Sequence, residues 1–139
     1  MISILLDTDV CLDSLAGRSP WNADADYIFH ASVENRCRIY VSGLTFANLF
    51  YLLRKQHGSE TTQRHLGAMR DLVQISPMND TVVDQALEAE WNDFEDALQY
   101  YSAKESGCQM VISRNISDYP KAGQVKVKTS ADFILTHLS

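Results

Sequence analysis

Apolar and polar positions change rhythm several times along the chain, and each change marks an element. The run "ISILLD", Ile2 to Asp7, is continuously apolar and ends in an acid, which suits a strand buried on both faces of a parallel sheet. From Pro20 to Glu34 the spacing is helical, with Ile28, Phe29 and Val33 on the apolar side. "CRIYVS", Cys37 to Ser42, reads as a second strand, and Ser42 or Thr45 caps the helix carrying Leu49, Leu52 and Leu53. Gly58 and Ser59 interrupt that helix, and another runs from about Glu60 to Leu72. "VQISP" is a short third strand, and Asn79 or Asp80 caps a helix reaching Trp91. A helix from Asp93 stops at Gly107, "CQMVIS" (Cys108 to Ser113) is a fourth strand, and "QVKVKT" is an edge strand. A last helix, "SADFILTHL", takes Ser130 as its cap. No element is assigned between Thr8 and Ser19. Alternating strands and helices predict an α/β sandwich on a mostly parallel sheet, and no linker or repeat divides residues 1–139, so one domain is expected.

In such a sheet ligands gather at the carboxyl ends of the strands, near the switch in strand order. Asp7 ends the first strand, and Asp118 lies just beyond the fourth in the loop "RNISD". If those strands are neighbours, the two acids share one crevice. The helix from Asp93 can be unwrapped at about 100° per residue. Phe94, Ala97, Leu98 and Tyr101 then form a core stripe, and Asp93, Asp96, Tyr100 and Ala103 a second one. Glu95, Gln99 and Ser102 form a polar third, so Asp96 accompanies Asp93 while Glu95 points elsewhere. Acids in a first helical turn also suit the helix dipole, which offers Asp93 a purely structural role. Carboxylates crowded in a crevice repel one another and imply a cation; an all-oxygen donor set suits Mg²⁺ or Mn²⁺.

Composition narrows the setting. Hydrophobic residues make 45% and charged residues 22% of the 139, as in an ordinary globular chain, and no apolar run is long enough to span a membrane. "MISILLDTD" has no basic start, long apolar stretch or small-residue cleavage site, so no secretory signal is expected. Cys11, Cys37 and Cys108 follow no pairing or metal spacing and fit buried free thiols in a reducing cytoplasm. The net charge of −6 argues against a broad basic face for nucleic acid. Basic residues form only small groups, at Arg36 to Arg38, Arg54 to Lys55 and Lys121 to Lys128. His30, His57, His65 and His137 share no spacing and are assigned no role. Tyr51, Tyr100 and Tyr101 could stack bases, but their helical spacing favours core packing, as does the setting of Trp21 and Trp91.

Four segments together resemble the PIN-domain family of metal-dependent nucleases, especially its bacterial VapC-type toxins. They are "LLDTDVCLD", "YVSGLTFANLFYLL", "DFEDALQYYSAKESGCQMVISRNISDY" and "VKVKTSADFI", in the family's order across essentially the whole chain. The resemblance implies a three-layer α/β/α sandwich that binds Mg²⁺ or Mn²⁺ and cleaves RNA to leave a 5′-phosphate. It assigns catalysis and metal binding to Asp7, Asp96 and Asp118. It places Ser113 beside the pocket, Asn115 as an orienting residue, Asp9 behind the ligands, and Asp93 as an auxiliary. Arg114 either steers a phosphate toward the pocket or is an ordinary exposed loop arginine. An antitoxin protein and a homodimer are the partners it implies. Asn48 departs from the pattern: the family usually has Glu there, and the amide brings no charge, which motivates a rival reading as a non-cutting RNA- or protein-binding module. A second rival, an aspartyl phosphatase with Asp7 as nucleophile and Asp9 as acid, lacks the downstream residues it needs.

Overall fold

A computed structural model describes residues 1–119 and 123–139; Lys121, counted above among the basic groups, lies outside them. Five strands form one sheet: β1 (Ile2–Leu6), β2 (Cys37–Ser42), β3 (Gln74–Ser76), β4 (Met110–Ile112) and β5 (Lys126–Lys128). Their order is β3-β2-β1-β4-β5 and every pairing is parallel. The order therefore reverses between β1 and β4, which are direct neighbours with Leu6 opposite Ile112. This is the juxtaposition on which a shared crevice depended. β5 is an edge strand, as its alternating Lys-Val-Lys suggests.

Among the described residues seven helices cover the sheet: α1 (Thr8–Leu15), α2 (Asn22–Val33), α3 (Gly43–His57), α4 (Ser59–Leu72), α5 (Asp80–Ala89), α6 (Phe94–Glu105) and α7 (Ser130–Phe133). A π-helical turn, Ile134–Leu138, continues α7. The pleat divides the strand residues between two cores. Ile4, Leu6, Ile39, Val41, Met110 and Ile112 face a large apolar layer with Val10, Ile28, Leu49, Leu53, Met69 and Phe133 of α1–α4 and α7. Leu5 and Val111 face the other way, onto Tyr100, Ala103, Tyr119 and Val125. The result is the three-layer α/β/α sandwich.

Caps explain most boundaries. Ser42, not Thr45, caps α3 by accepting from the Thr45 N–H, and Asn79 caps α5 through the Val82 N–H. Asp93 caps α6 by accepting from the Asp96 N–H at 3.1 Å. Thr129, rather than Ser130, caps α7. Gly107 adopts φ 75° just past α6, the left-handed conformation that ends a helix at small cost for glycine.

Four further expectations are corrected. Helix α1 exists where no element was assigned; Asp7 caps it through the Thr8 N–H, and buried Asp13 on its inner side obscures the apolar rhythm. Helix α6 is rotated from the expected face. Phe94 is 43% exposed, whereas Gln99 and Ser102 of the supposed polar stripe are fully buried. Polar side chains can line the inner face here because each meets a partner, Ser102 Oγ donating to Pro77 O at 2.6 Å. Tyr51 is not a core residue: it is 60% exposed, with the Arg54 guanidinium 4.8 Å above its ring. Trp21 is also half exposed, whereas Trp91 packs against Tyr100, Tyr101 and Tyr119.

Candidate active site

At the β1/β4 switch point the chain leaves a crevice of about 220 Å³ lined by Asp7, Asp9, Asp93, Glu95, Asp96 and Asp118, with Ser113 and Asn115 beside them. Its described lining contains no Lys or Arg. The site forms because β1 and β4 end side by side, α6 starts above them, and a 3₁₀ turn, Ile116–Asp118, follows β4.

Asp7 is buried and fully engaged. Its Oδ1 accepts from the Thr8 N–H at 2.8 Å and from Gln99 Nε2 at 3.4 Å, and its Oδ2 accepts from the Tyr119 hydroxyl at 2.8 Å. Gln99 is the hub behind it: Nε2 donates to Thr45 Oγ1 at 2.7 Å while Oε1 accepts from Ser42 Oγ at 2.7 Å. Thr8 Oγ1 lies 3.0 Å from Thr45 Oγ1 and closes the network. These neutral donors fix the carboxylate without cancelling its charge.

The other acids differ in environment. Burial, then repulsion from Asp7, Asp93 and Asp118, pushes the Asp96 carboxyl up to about 7. Asp9, in the first turn of α1, is raised to about 6 by burial and by Asp7. Its Oδ2 accepts from the Arg114 N–H at 3.3 Å, whereas Oδ1 is buried with no hydrogen-bond partner among the described residues. Asp93 divides its role between capping α6 and lining the crevice. Asp118 and Asn115 are exposed at the mouth; Ser113 is buried, and its Oγ accepts from the Asn115 N–H at 3.2 Å.

Glu95 does not point elsewhere. It lines the crevice, and Asn48 Nδ2 donates to its Oε1 at 2.8 Å. Burial and Asp7 raise its carboxyl above the usual range, and the Asn48 bond partly opposes this. The amide on α3 therefore holds a carboxylate that α6 supplies. Arg114 is absent from the described lining; its guanidinium pairs with buried Asp13 at 3.3 Å and stacks 4.2 Å from the Trp21 ring. Sequence reasoning missed Gln99 and Tyr119. The signal for Gln99 was a lone amide flanked by aromatic and apolar positions on a helix that faces the sheet.

Excess negative charge, an unpartnered buried carboxylate oxygen and oxygen-only donors fit a hard divalent cation. The fit is one of donor chemistry. Among the described residues, no three His, Cys, Asp or Glu side chains already stand in metal-holding geometry.

Fold and site together define a three-layer α/β protein with an acidic crevice at the switch point of its parallel sheet. The family model of the PIN domain matches residues 3–117, and the chain belongs to that family. No curated protein matches the sequence significantly. Among solved structures, DNA-bound VapBC from Salmonella typhimurium is 14% identical with a TM-score of 0.73, covering 94% of this chain and 99% of that one. A toxin–antitoxin complex from Klebsiella pneumoniae is 20% identical with a TM-score of 0.69, covering 91% and 97%. Mycobacterium tuberculosis VapC20, a Sarcin-Ricin loop cleaving toxin, is 15% identical with a TM-score of 0.62, covering 78% and 86%.

Proposed function

We propose that the protein is a Mg²⁺- or Mn²⁺-dependent endoribonuclease and the toxin of a toxin–antitoxin pair. The observation that carries this reading is the convergence of six carboxylates, with no Lys or Arg among the described lining residues, at the switch point of a PIN-domain sheet. Asp7, Asp96 and Asp118 would hold the cation, and Glu95 would supply the charge that Asn48 lacks. When bound, the cation polarises a phosphoryl oxygen and lowers the pKa of an attacking water.

The chain's own residues do the rest. Thr8, Gln99 and Tyr119 orient Asp7. Asp96, near neutrality in the free protein, gives up its proton as the site fills. Asn48 keeps Glu95 at the rim. Ser113 shapes the loop that carries Asn115 to the mouth. In the overall reaction water adds to phosphorus and the bond to the 3′ oxygen breaks, leaving a 5′-phosphate and a 3′-hydroxyl. Arg114, tied to Asp13 and Trp21, anchors this loop to α1, and any contact with RNA would be through its remaining exposed edge.

The VapBC structure and the toxin–antitoxin complex among the similar structures support an antitoxin protein as partner. We propose a homodimer and a cytoplasmic setting, as the family resemblance implies. No described helix is long and apolar enough to cross a membrane. One observation favours a second reading, a non-cutting RNA- or protein-binding module: Asn48, where the family resemblance expects Glu, is neutral and brings no charge of its own.

Purified protein should cleave structured RNA with Mn²⁺ or Mg²⁺, and Asp7→Asn and Asp96→Asn should each lose at least about 100-fold in rate. Glu95→Gln should lose activity too, but less. Equal activity in all variants, or none in the wild type with no Mn²⁺ heat on titration, would favour the binding module.

A further inference from the structure

Tyr119 follows the 3₁₀ turn that carries Asp118, yet its side chain is only 4% exposed. Its ring meets Trp91 edge-on at 5.8 Å, and Trp91 in turn packs on Tyr100 at 5.2 Å and on Tyr101 at 6.0 Å. This aromatic wall delivers the hydroxyl to a fixed point. There it donates to Asp7 Oδ2 at 2.8 Å, and Asp96 Oδ1 lies 3.5 Å away. A phenol has a single proton to donate, so it satisfies one carboxylate and only eases its repulsion with the other. A position within reach of oxygens from both acids is also where a shared cation would be gripped.

We propose that the Tyr119 hydroxyl is a built-in competitor for the divalent cation. It holds the metal-free site together, and it must turn aside before Asp7 and Asp96 can grip one ion. This rests on the metal-nuclease reading above. The competition sets a threshold for metal binding without adding any charged residue to the crevice.

Tyr119→Phe keeps the ring and removes only the donor. Titration calorimetry with Mn²⁺ at pH 7.5 should show binding about three- to tenfold tighter than wild type, together with a lower thermal midpoint in EDTA. Unchanged or weaker Mn²⁺ binding would overturn the proposal, since the hydroxyl would then only orient Asp7. Asp7→Asn run alongside separates the two levels. Mn²⁺ binding by wild type, lost in Asp7→Asn and unchanged in Tyr119→Phe, sinks the competitor alone. No binding by wild type or Tyr119→Phe sinks the metal reading with it, while binding by Tyr119→Phe only would support both. Should Tyr119→Phe fail to fold, the wild-type ultraviolet difference spectrum decides. Mg²⁺ should perturb tyrosine absorbance with the same midpoint as binding, and a silent spectrum overturns the proposal.

Discussion

Asp96 shows how one residue can carry both a functional and a stability signature. Its carboxyl is raised from 3.8 to about 7, chiefly by burial and then by Asp7. Folded protein therefore keeps a proton that the unfolded chain releases between those values. Stability from this group is complete below the lower value and is lost as pH rises through the upper one. Asp9, raised to about 6, acts in the same direction. In EDTA the thermal midpoint should fall from pH 5 to pH 8, and Asp96→Asn should flatten that fall and exceed wild type at pH 8. Calorimetric scans across the range check it; parallel curves for the two proteins would count against a charged, crowded crevice. Asn48 and Glu95 illustrate a different point at this scale. An amide that looks like a lost ligand in the sequence is, in space, the anchor for a carboxylate on another helix.

At the scale of elements, α6 is docked by polar contacts as much as by apolar ones. Gln99, fully buried, joins it to Ser42 and Thr45 of the β2–α3 junction and to Asp7 at the end of β1. Ser102 joins it to Ser76 at the end of β3. Replacing Gln99 by Leu preserves volume but strands these partners, and should cost about 1–3 kcal/mol in urea unfolding. On the proposed reading it should also loosen Asp7 and weaken Mn²⁺ binding, a coupling that a purely packing role would not produce. On α1, Asp13 receives Arg18 at 3.0 Å and Arg114 at 3.3 Å while itself being 2% exposed. Removing both arginines should cost more than the sum of the single losses, by about 1–3 kcal/mol, because only the double variant strands a buried carboxylate. A double-mutant cycle measures this directly.

Across the whole molecule the sheet separates two cores, and the cysteines sample both: Cys11 and Cys37 belong to the larger, Cys108 to the smaller. All three are buried free thiols, and burial raises each, Cys108 to about 12. Native protein at pH 8 should resist thiol labelling at all three, and the labelling of each should rise with the same urea midpoint as the loss of circular dichroism. Earlier labelling at Cys108 would show that the smaller core opens on its own. The acidic crevice and the net charge of −6 have a consequence at this scale as well. Without a cation the molecule repels a phosphate backbone, so substrate affinity on the proposed reading is coupled to metal occupancy.

Much of this architecture is legible in the sequence, because strands buried on both faces are largely apolar and helix ends must satisfy their free N–H groups. The apolar run at Ile2–Leu6, the β-rich run at Cys37–Ser42, the Asn79 cap and the Gly107 stop follow from those local demands. The acids Asp7, Asp96 and Asp118 stood out because each follows or opens an element at the sheet's carboxyl edge. What local pattern could not determine is anything set by a partner distant in sequence. Buried Asp13 hid α1 because its compensating arginines lie 5 and 101 positions away. Gln99 and Ser102 looked solvent-facing because the hydroxyls that satisfy them sit on other elements. Tyr119 and Glu95 reach the crevice only because the tertiary structure places Asp7 and Asn48 beside them. A sequence fixes which groups need partners; the fold decides which partners they find.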